Sequence, residues 1–210
     1  MILSIHTKSK ANLYIFFPLF IMETRTYNVY KFEELTPNAQ EKALEENRDI
    51  NVDYYWHTSV TEQWKDKLET LGYDDAKIWF SGFWSQGDGA CFDAKINTLA
   101  WLKAHKLLSK FPKTVKACKD DKCPTFSIRT IDSHYSHENT RRVDYDYAGE
   151  NEEAEDLQKL MEEDRYSLSK QIYEDLESDY DYRTMDSAIK EALIENDYDF
   201  TEDGKIDNHI

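Results

Sequence analysis

The sequence predicts an α+β fold, with antiparallel β-hairpins packed against amphipathic helices and an acidic C-terminal helical region. Apolar residues recur every three to four positions in some stretches and alternate in others. The alternating stretches come in pairs joined by turn residues, as between Lys77 and Ile96. No strand–helix–strand rhythm and no internal repeat runs through the chain, which argues against a parallel sheet.

Thr26 to Phe32 reads as a short strand. Thr36-Pro37 starts a helix, because Thr caps exposed amides and Pro occupies the first turn where its missing N–H costs nothing. This helix runs to about Arg48 with Ala39, Ala43 and Leu44 inward. A second covers about Val52 to Leu71 and stops at Gly72, with Trp56, Val60, Trp64 and Leu68 as its buried stripe. Lys77 to Trp84 is a strand with Ile78 and Phe80 on one face and Trp79 and Phe83 on the other. Ser85-Gln86-Gly87-Asp88-Gly89 turns the chain, and Ala90 to Ile96 returns as the second strand.

A helix from Asn97 to about Lys110 follows, with Leu99, Ala100, Leu102 and Leu107 inward, and Lys113 to Pro124 reads as an exposed loop. Thr125 to Ile131 and Arg141 to Tyr147 are strands joined by a polar turn from Ser133 to Thr140. Glu152 to about Leu176 is a long acidic helix, Met185 to Ile194 a shorter one, and Tyr198 to Ile206 a terminal hairpin turning at Asp203-Gly204.

The chain of 210 residues carries 26 Lys plus Arg against 42 Asp plus Glu, a net charge of −16 that disfavours binding of nucleic acid by the molecule as a whole. Six Gly and four Pro exclude a collagen-like or linker-like chain, and three Cys make no disulfide scaffold. The charge is unevenly placed. Residues 144–203 hold 22 acidic and 5 basic residues, so the rest is nearly neutral and contains a basic stretch, Lys95, Lys103, Lys106, Lys110, Lys113, Lys116, Lys119 and Lys122. Residues 22–208 read as one α+β domain with a Lys-rich insertion at about 103–124. Residues 1–21 carry Lys8, Lys10 and the apolar run Ala11 to Ile21, the outline of a secretory signal or membrane anchor. Pro18 within the run, and no small-residue cleavage pattern after it, favour a disordered leader or an over-extended start ahead of Met22.

Several motifs could carry chemistry. Gly87-Asp88-Gly89 invites a phosphate-binding reading, but it joins two strands and fits neither GxxxxGK nor GxGxxG, so a hairpin turn is the simpler expectation. Trp79, Phe83, Trp84 and Phe92 surround it, which marks Trp79, Phe83, Trp84, Gln86, Gly87, Asp88 and Gly89 as a candidate partner- or ligand-contact loop. Cys118, Cys123, His134 and His137 offer thiolates and imidazoles of the type Zn²⁺ prefers, set against a reading as exposed turn residues. No other cofactor is expected. There is no GxSxG, HExxH or local Cys–His signature; an enzyme would need a pocket where His57, His105, His134 or His137 meets a carboxylate. The acidic helices read either as solvated faces or as a surface for a basic partner, supplied by Glu152, Glu153, Asp156, Glu162, Glu163, Asp175 and Asp179.

YKFEELTPNAQEKALEENRDINVDYYW (Tyr30 to Trp56), FSGFWSQGDGACF (Phe80 to Phe92), HYSHENT (His134 to Thr140) and YDFTEDGKI (Tyr198 to Ile206) resemble a family of small tailed-phage and prophage proteins. Its members are often labelled "antitoxin of toxin–antitoxin stability system". The resemblance spans Met22 to about Asn208, with SGFWSQGDGA its most distinctive block and Trp101 to Pro124 its point of departure. It implies a phage-encoded antitoxin-like or anti-defence protein in the host cytoplasm, and carries over no catalytic residues. Its partner would be a host, toxin or defence protein, bound through the acidic helical face and the aromatic hairpin. The alternative is a nucleic-acid or nucleotide binder using the Lys-rich insertion and the Gly87–Gly89 turn, with or without zinc. No membrane contact is expected unless residues 1–21 are a true signal.

Overall fold

A computed structural model describes residues 26–53, 55–132, 134–146 and 152–207, and the leader at 1–21 lies outside them. Among the described residues six α-helices and four strands follow one another: α1 (Pro37–Glu46), α2 (Thr58–Thr70), β1 (Tyr73–Phe80), β2 (Ala90–Ile96), α3 (Thr98–Ala104), α4 (Pro112–Lys119), β3 (Thr125–Thr130), β4 (Arg141–Asp146), α5 (Glu152–Thr184) and α6 (Asp186–Glu195). The strands form an antiparallel sheet in the order β1-β2-β3-β4. The α+β class therefore stands. No helix among the described residues is long and apolar enough to cross a membrane.

The sheet has one covered and one open face. Ile78 pairs with Phe92, Ala94 with Ile128, and Ile128 with Val143, so these side chains share a face. That face packs on α2, α3 and α5 in a core built from Trp64, Leu68, Tyr73, Phe92, Trp101, Phe126, Leu157, Met161 and Ile172. A second core joins the two ends of the chain: Phe32, Leu35, Ala39 and Ala43 pack on Ile189, Leu193 and Phe200. The Tyr30 and Phe200 backbones exchange hydrogen bonds at 2.9 and 2.8 Å, which closes the ends onto each other. The turn at Gly204 (φ 87°) presses so close to Ala39 that a Cβ there would overlap the Ala39 carbonyl oxygen.

Local signals explain where elements begin and end, and where expectations need correcting. Thr36 accepts from the Ala39 amide and Pro37 opens α1, as the capping chemistry requires. Thr26 to Phe32 is not a strand; it contributes the single bridge at Tyr30 before a 3₁₀ turn at Phe32–Glu34. The second helix starts only at Thr58, and Trp56 packs from the turn ahead of it against Phe80, Phe83 and Tyr180. The first strand ends at Phe80, leaving Phe83 and Trp84 in the loop. The helix after β2 stops at Ala104 because the chain turns left-handed at Lys106 (φ 59°). Residues 112–119, expected as loop, are helical: Pro112 sits at N1, and Glu153 of α5 satisfies the exposed amides. The acidic helix runs past Leu176 to Thr184, since Tyr180 continues its buried stripe against Trp56 and Phe83.

Candidate interaction site

The loop between β1 and β2 is locked by its own residues. Beyond the last ladder pair, Phe80–Ala90, the Ser81 amide donates to Gly89 O at 3.0 Å and the Gly89 amide to Ser81 Oγ at 3.1 Å. Asp88 Oδ2 accepts from the amides of Trp84 (3.0 Å) and Ser85 (2.6 Å), while its own amide donates to Ser85 O. Asp88 is thus the internal brace of the turn. The amides of Trp84, Ser85, Asp88 and Gly89, the groups a phosphate would need, are committed inside the loop.

This rigid loop divides its two aromatic residues. Phe83 is buried against Trp56, Phe80, Tyr173 and Tyr180. Trp84 is 72 % exposed and rests edge-on against Tyr180 at 5.1 Å. Burial pushes the phenols of Tyr173 and Tyr180 up, helped by Glu177 for the first and Asp49 for the second. Trp79, grouped with this loop by sequence, is placed elsewhere: it lies opposite Cys91 on the open face of the sheet, under the Arg141 guanidinium.

The turn at 134–140 backs the loop. Gly89 packs so tightly on His137 that an added Cβ would sit 2.5 Å from the His137 Cβ, and the Gly87 Cβ position meets the Tyr135 ring at 3.4 Å. His137 Nδ1 accepts from the Asn139 amide at 3.1 Å and caps the 3₁₀ turn Glu138–Thr140. His134 and Tyr135 are exposed with their rings 4.4 Å apart. The SGFWSQGDGA and HYSHENT stretches, more than forty residues apart in the chain, therefore build one surface, with Trp84, Gln86, His134 and Tyr135 exposed on it.

The acidic residues of α5 do not form one solvated stripe. Glu153 caps α4, Glu162 accepts from the Val143 amide (2.7 Å) and pairs with Arg165, and Asp175 accepts from Trp64 Nε1 (2.9 Å). Asp179 pairs with Arg183 at 2.8 Å. Asp156 and Glu163 are exposed, and the side chain of Glu152 lies outside the described residues. Asp175 and Asp179 also line a groove of about 540 Å³ between α2 and α5, with Trp64, Lys67 and Tyr182. Lys67 Nζ stands 3.7 Å over the Trp64 ring there, so the groove already holds one ammonium group.

A further polar cluster, which no motif signals, lies in the core. Asp164 Oδ2 accepts from Tyr73 OH (2.7 Å) and Trp101 Nε1 (3.1 Å) and lies 3.0 Å from His105 Nε2. His105 Nδ1 faces the Trp101 carbonyl at 2.9 Å. These groups knit α3, α5 and β1 together.

The zinc expectation needs correcting. Cys118 and Cys123 are joined as a disulfide at the end of α4, which leaves no thiolate for a metal, and His137 is engaged in its turn. No group of three or more His, Cys, Asp or Glu among the described residues is arranged to hold a metal ion.

Compared with known proteins, residues 56–186 match the family described as Domain of unknown function (DUF8835). No curated protein and no solved structure matches the chain.

Proposed function

The chain belongs to the family described as Domain of unknown function (DUF8835), whose match takes in the whole sheet, loop 81–89, the turn at 134–140 and α5, and on that premise we propose that it works by binding another protein. The observation that carries this reading is Trp84: a large aromatic side chain held 72 % exposed on a loop whose amides are fixed by Asp88. A rigid exposed Trp loses little entropy on docking, and Trp and Tyr dominate the energetics of protein interfaces. His134, Tyr135 and Gln86 extend the surface with amphipathic and hydrogen-bonding groups. The exposed carboxylates of α5, with Asp175 and Asp179 in the adjoining groove, supply the field that steers a basic partner.

Together with the resemblance to phage and prophage proteins, this supports an antitoxin-like or anti-defence role in the host cytoplasm, the partner being a host, toxin or defence protein. The test is affinity capture from phage-infected host cells with three baits: wild type, Trp84→Ala and the double variant Asp156→Asn/Glu163→Gln. A specific protein retained by wild type, lost with Trp84→Ala and released by raised salt supports the reading. Capture indifferent to Trp84 and to salt refutes it.

A further inference from the structure

The groove between α2 and α5 is built on an aromatic ring as well as on carboxylates. Trp64 lines the cavity of about 540 Å³, and its Nε1–H donates to Asp175 Oδ2 at 2.9 Å, which pins the orientation of the ring. Val60 and Tyr182 stand beside it. Asp175 and Asp179 lie one turn apart on α5, so their carboxylates share a face of that helix. Asp179 meets Arg183 through Oδ2, whereas Asp175 has no cationic partner among the described residues. Lys67, the cation of the groove's lining, also forms no ion pair among the described residues; its ammonium rests 3.7 Å over the Trp64 ring instead. The local charge is negative. Over residues 58–70 and 171–184, the helical segments that wall the groove, eight Asp and Glu stand against three Lys and Arg.

We propose that this groove receives an arginine side chain of a basic protein partner, its guanidinium replacing the Lys67 ammonium over Trp64 and meeting Asp175 and Asp179. This role rests on the reading that the chain binds a protein, and it names the group which that partner brings. The ring already carries a cation, so its face suits one. Arginine fits better than lysine: a planar guanidinium stacks on an indole and forks its donors to carboxylates, whereas an ammonium is a compact point charge. Lys67 is exposed and its stem is flexible, so it can swing aside when a stronger ligand arrives. A segment of a protein fits better than a free small molecule, because the excess carboxylates extend along both helices beyond the groove itself.

The experiment follows the indole N–H signals of the isotope-labelled full chain by NMR, with Trp64 assigned through Trp64→Phe. The probes are blocked tri-arginine, tri-lysine and tri-citrulline peptides and free arginine. Tri-arginine should move the Trp64 signal saturably, with an affinity about threefold or more above that of tri-lysine. Tri-citrulline keeps the shape without the charge and should not move it, and free arginine should bind more weakly than the peptide. Lys67→Ala clears the ring and should tighten tri-arginine binding by about threefold, while Lys65→Ala, which removes a charge from α2 but nothing from the ring, should change it less. Asp175→Asn/Asp179→Asn keeps an acceptor for the Trp64 indole and should weaken binding by about tenfold or more. Trp84→Ala should leave it unchanged. An unmoved Trp64 signal, tri-lysine or free arginine binding as tightly as tri-arginine, or no greater tightening by Lys67→Ala than by Lys65→Ala would each overturn the proposal. Such a result beside Trp84-dependent capture strikes the groove alone; peptide binding as expected beside capture indifferent to Trp84 and to salt strikes the reading of the loop.

Discussion

Glu153 caps a helix to which it does not belong: its carboxylate accepts from the Thr114 amide at 2.7 Å and the Thr114 hydroxyl at 2.9 Å, and from the Lys113 amide at 3.2 Å. These amides occupy the second and third positions of α4, where no intrahelical acceptor exists. A negative charge there also faces the positive end of the helix dipole. Glu153→Ala should cost about 1–2 kcal/mol in denaturant unfolding, the range for a lost cap. Amide exchange should rise across Val115 to Lys119 ahead of the rest of the molecule. An unchanged exchange pattern in α4 would remove Glu153 from its stability.

That cap shows why part of the molecule was legible in sequence and part was not. The β1–β2 hairpin, α1 with Thr36 and Pro37, and the terminal turn at Gly204 depend on neighbours a few residues away, so their signals are local. α4 depends on a carboxylate thirty-nine positions distant from Thr114, and its Lys-rich run has no N-cap of its own. The acidic character of α5 was legible, but its use was not. Spacing cannot tell that Glu162 will meet the Val143 amide and Asp175 the Trp64 indole. Trp79 and Trp84 are five residues apart, yet the strand ends between them and sends them to different surfaces. The pairing of Gly89 with His137 was equally invisible, since it needs the sheet to bring two hairpin ends together.

Asp88 sets the posture of Trp84 through two amide hydrogen bonds. Asp88→Ala should speed amide exchange at Trp84 and Ser85 and shift the Trp emission spectrum, with a stability loss of only about 1 kcal/mol because the loop is exposed. Asp88→Asn keeps one acceptor oxygen and should fall between the two. Equal behaviour of the Ala variant and wild type would mean that the loop holds its shape without the brace.

Gly204 tests the second core. Its φ of 87° is disfavoured for any side chain, and a Cβ would collide with the Ala39 carbonyl. Gly204→Ala should therefore destabilise by more than about 1 kcal/mol, measured by urea unfolding. If the second core unfolds separately, a first transition should move while the sheet transition stays. A neutral substitution would show that the Ala39 contact relaxes freely.

The cysteines give a thiol count. Cys91 is buried, and burial pushes its thiol up, so it should resist Ellman's reagent in the folded protein. With Cys118 and Cys123 bonded, native protein should show no reactive thiol, denatured protein one, and denatured reduced protein three. Two reactive thiols in the native state would mean that Cys118 and Cys123 are reduced, and would reopen the metal question.

Tyr73 provides the pH dependence. Its hydroxyl is buried, donates to Asp164 and accepts from Trp101 Nε1 at 3.0 Å. Burial first, then the Asp164 charge and the hydrogen bond it accepts, hold the phenol well above its ordinary value. The unfolded chain therefore loses this proton near pH 10, while the folded protein retains it to higher pH. The folded state binds more protons in that window, so stability is intact below about pH 10 and falls as pH rises further. The decline attributable to one such group approaches about 1.4 kcal/mol per pH unit as an upper limit. Tyr73→Phe removes the titration, and its unfolding free energy should fall less steeply than that of wild type above about pH 10. The variant should also be less stable at neutral pH, because Asp164 loses a donor and Trp101 an acceptor. Parallel alkaline slopes in the two proteins would show that the Tyr73 proton is not what the folded core retains.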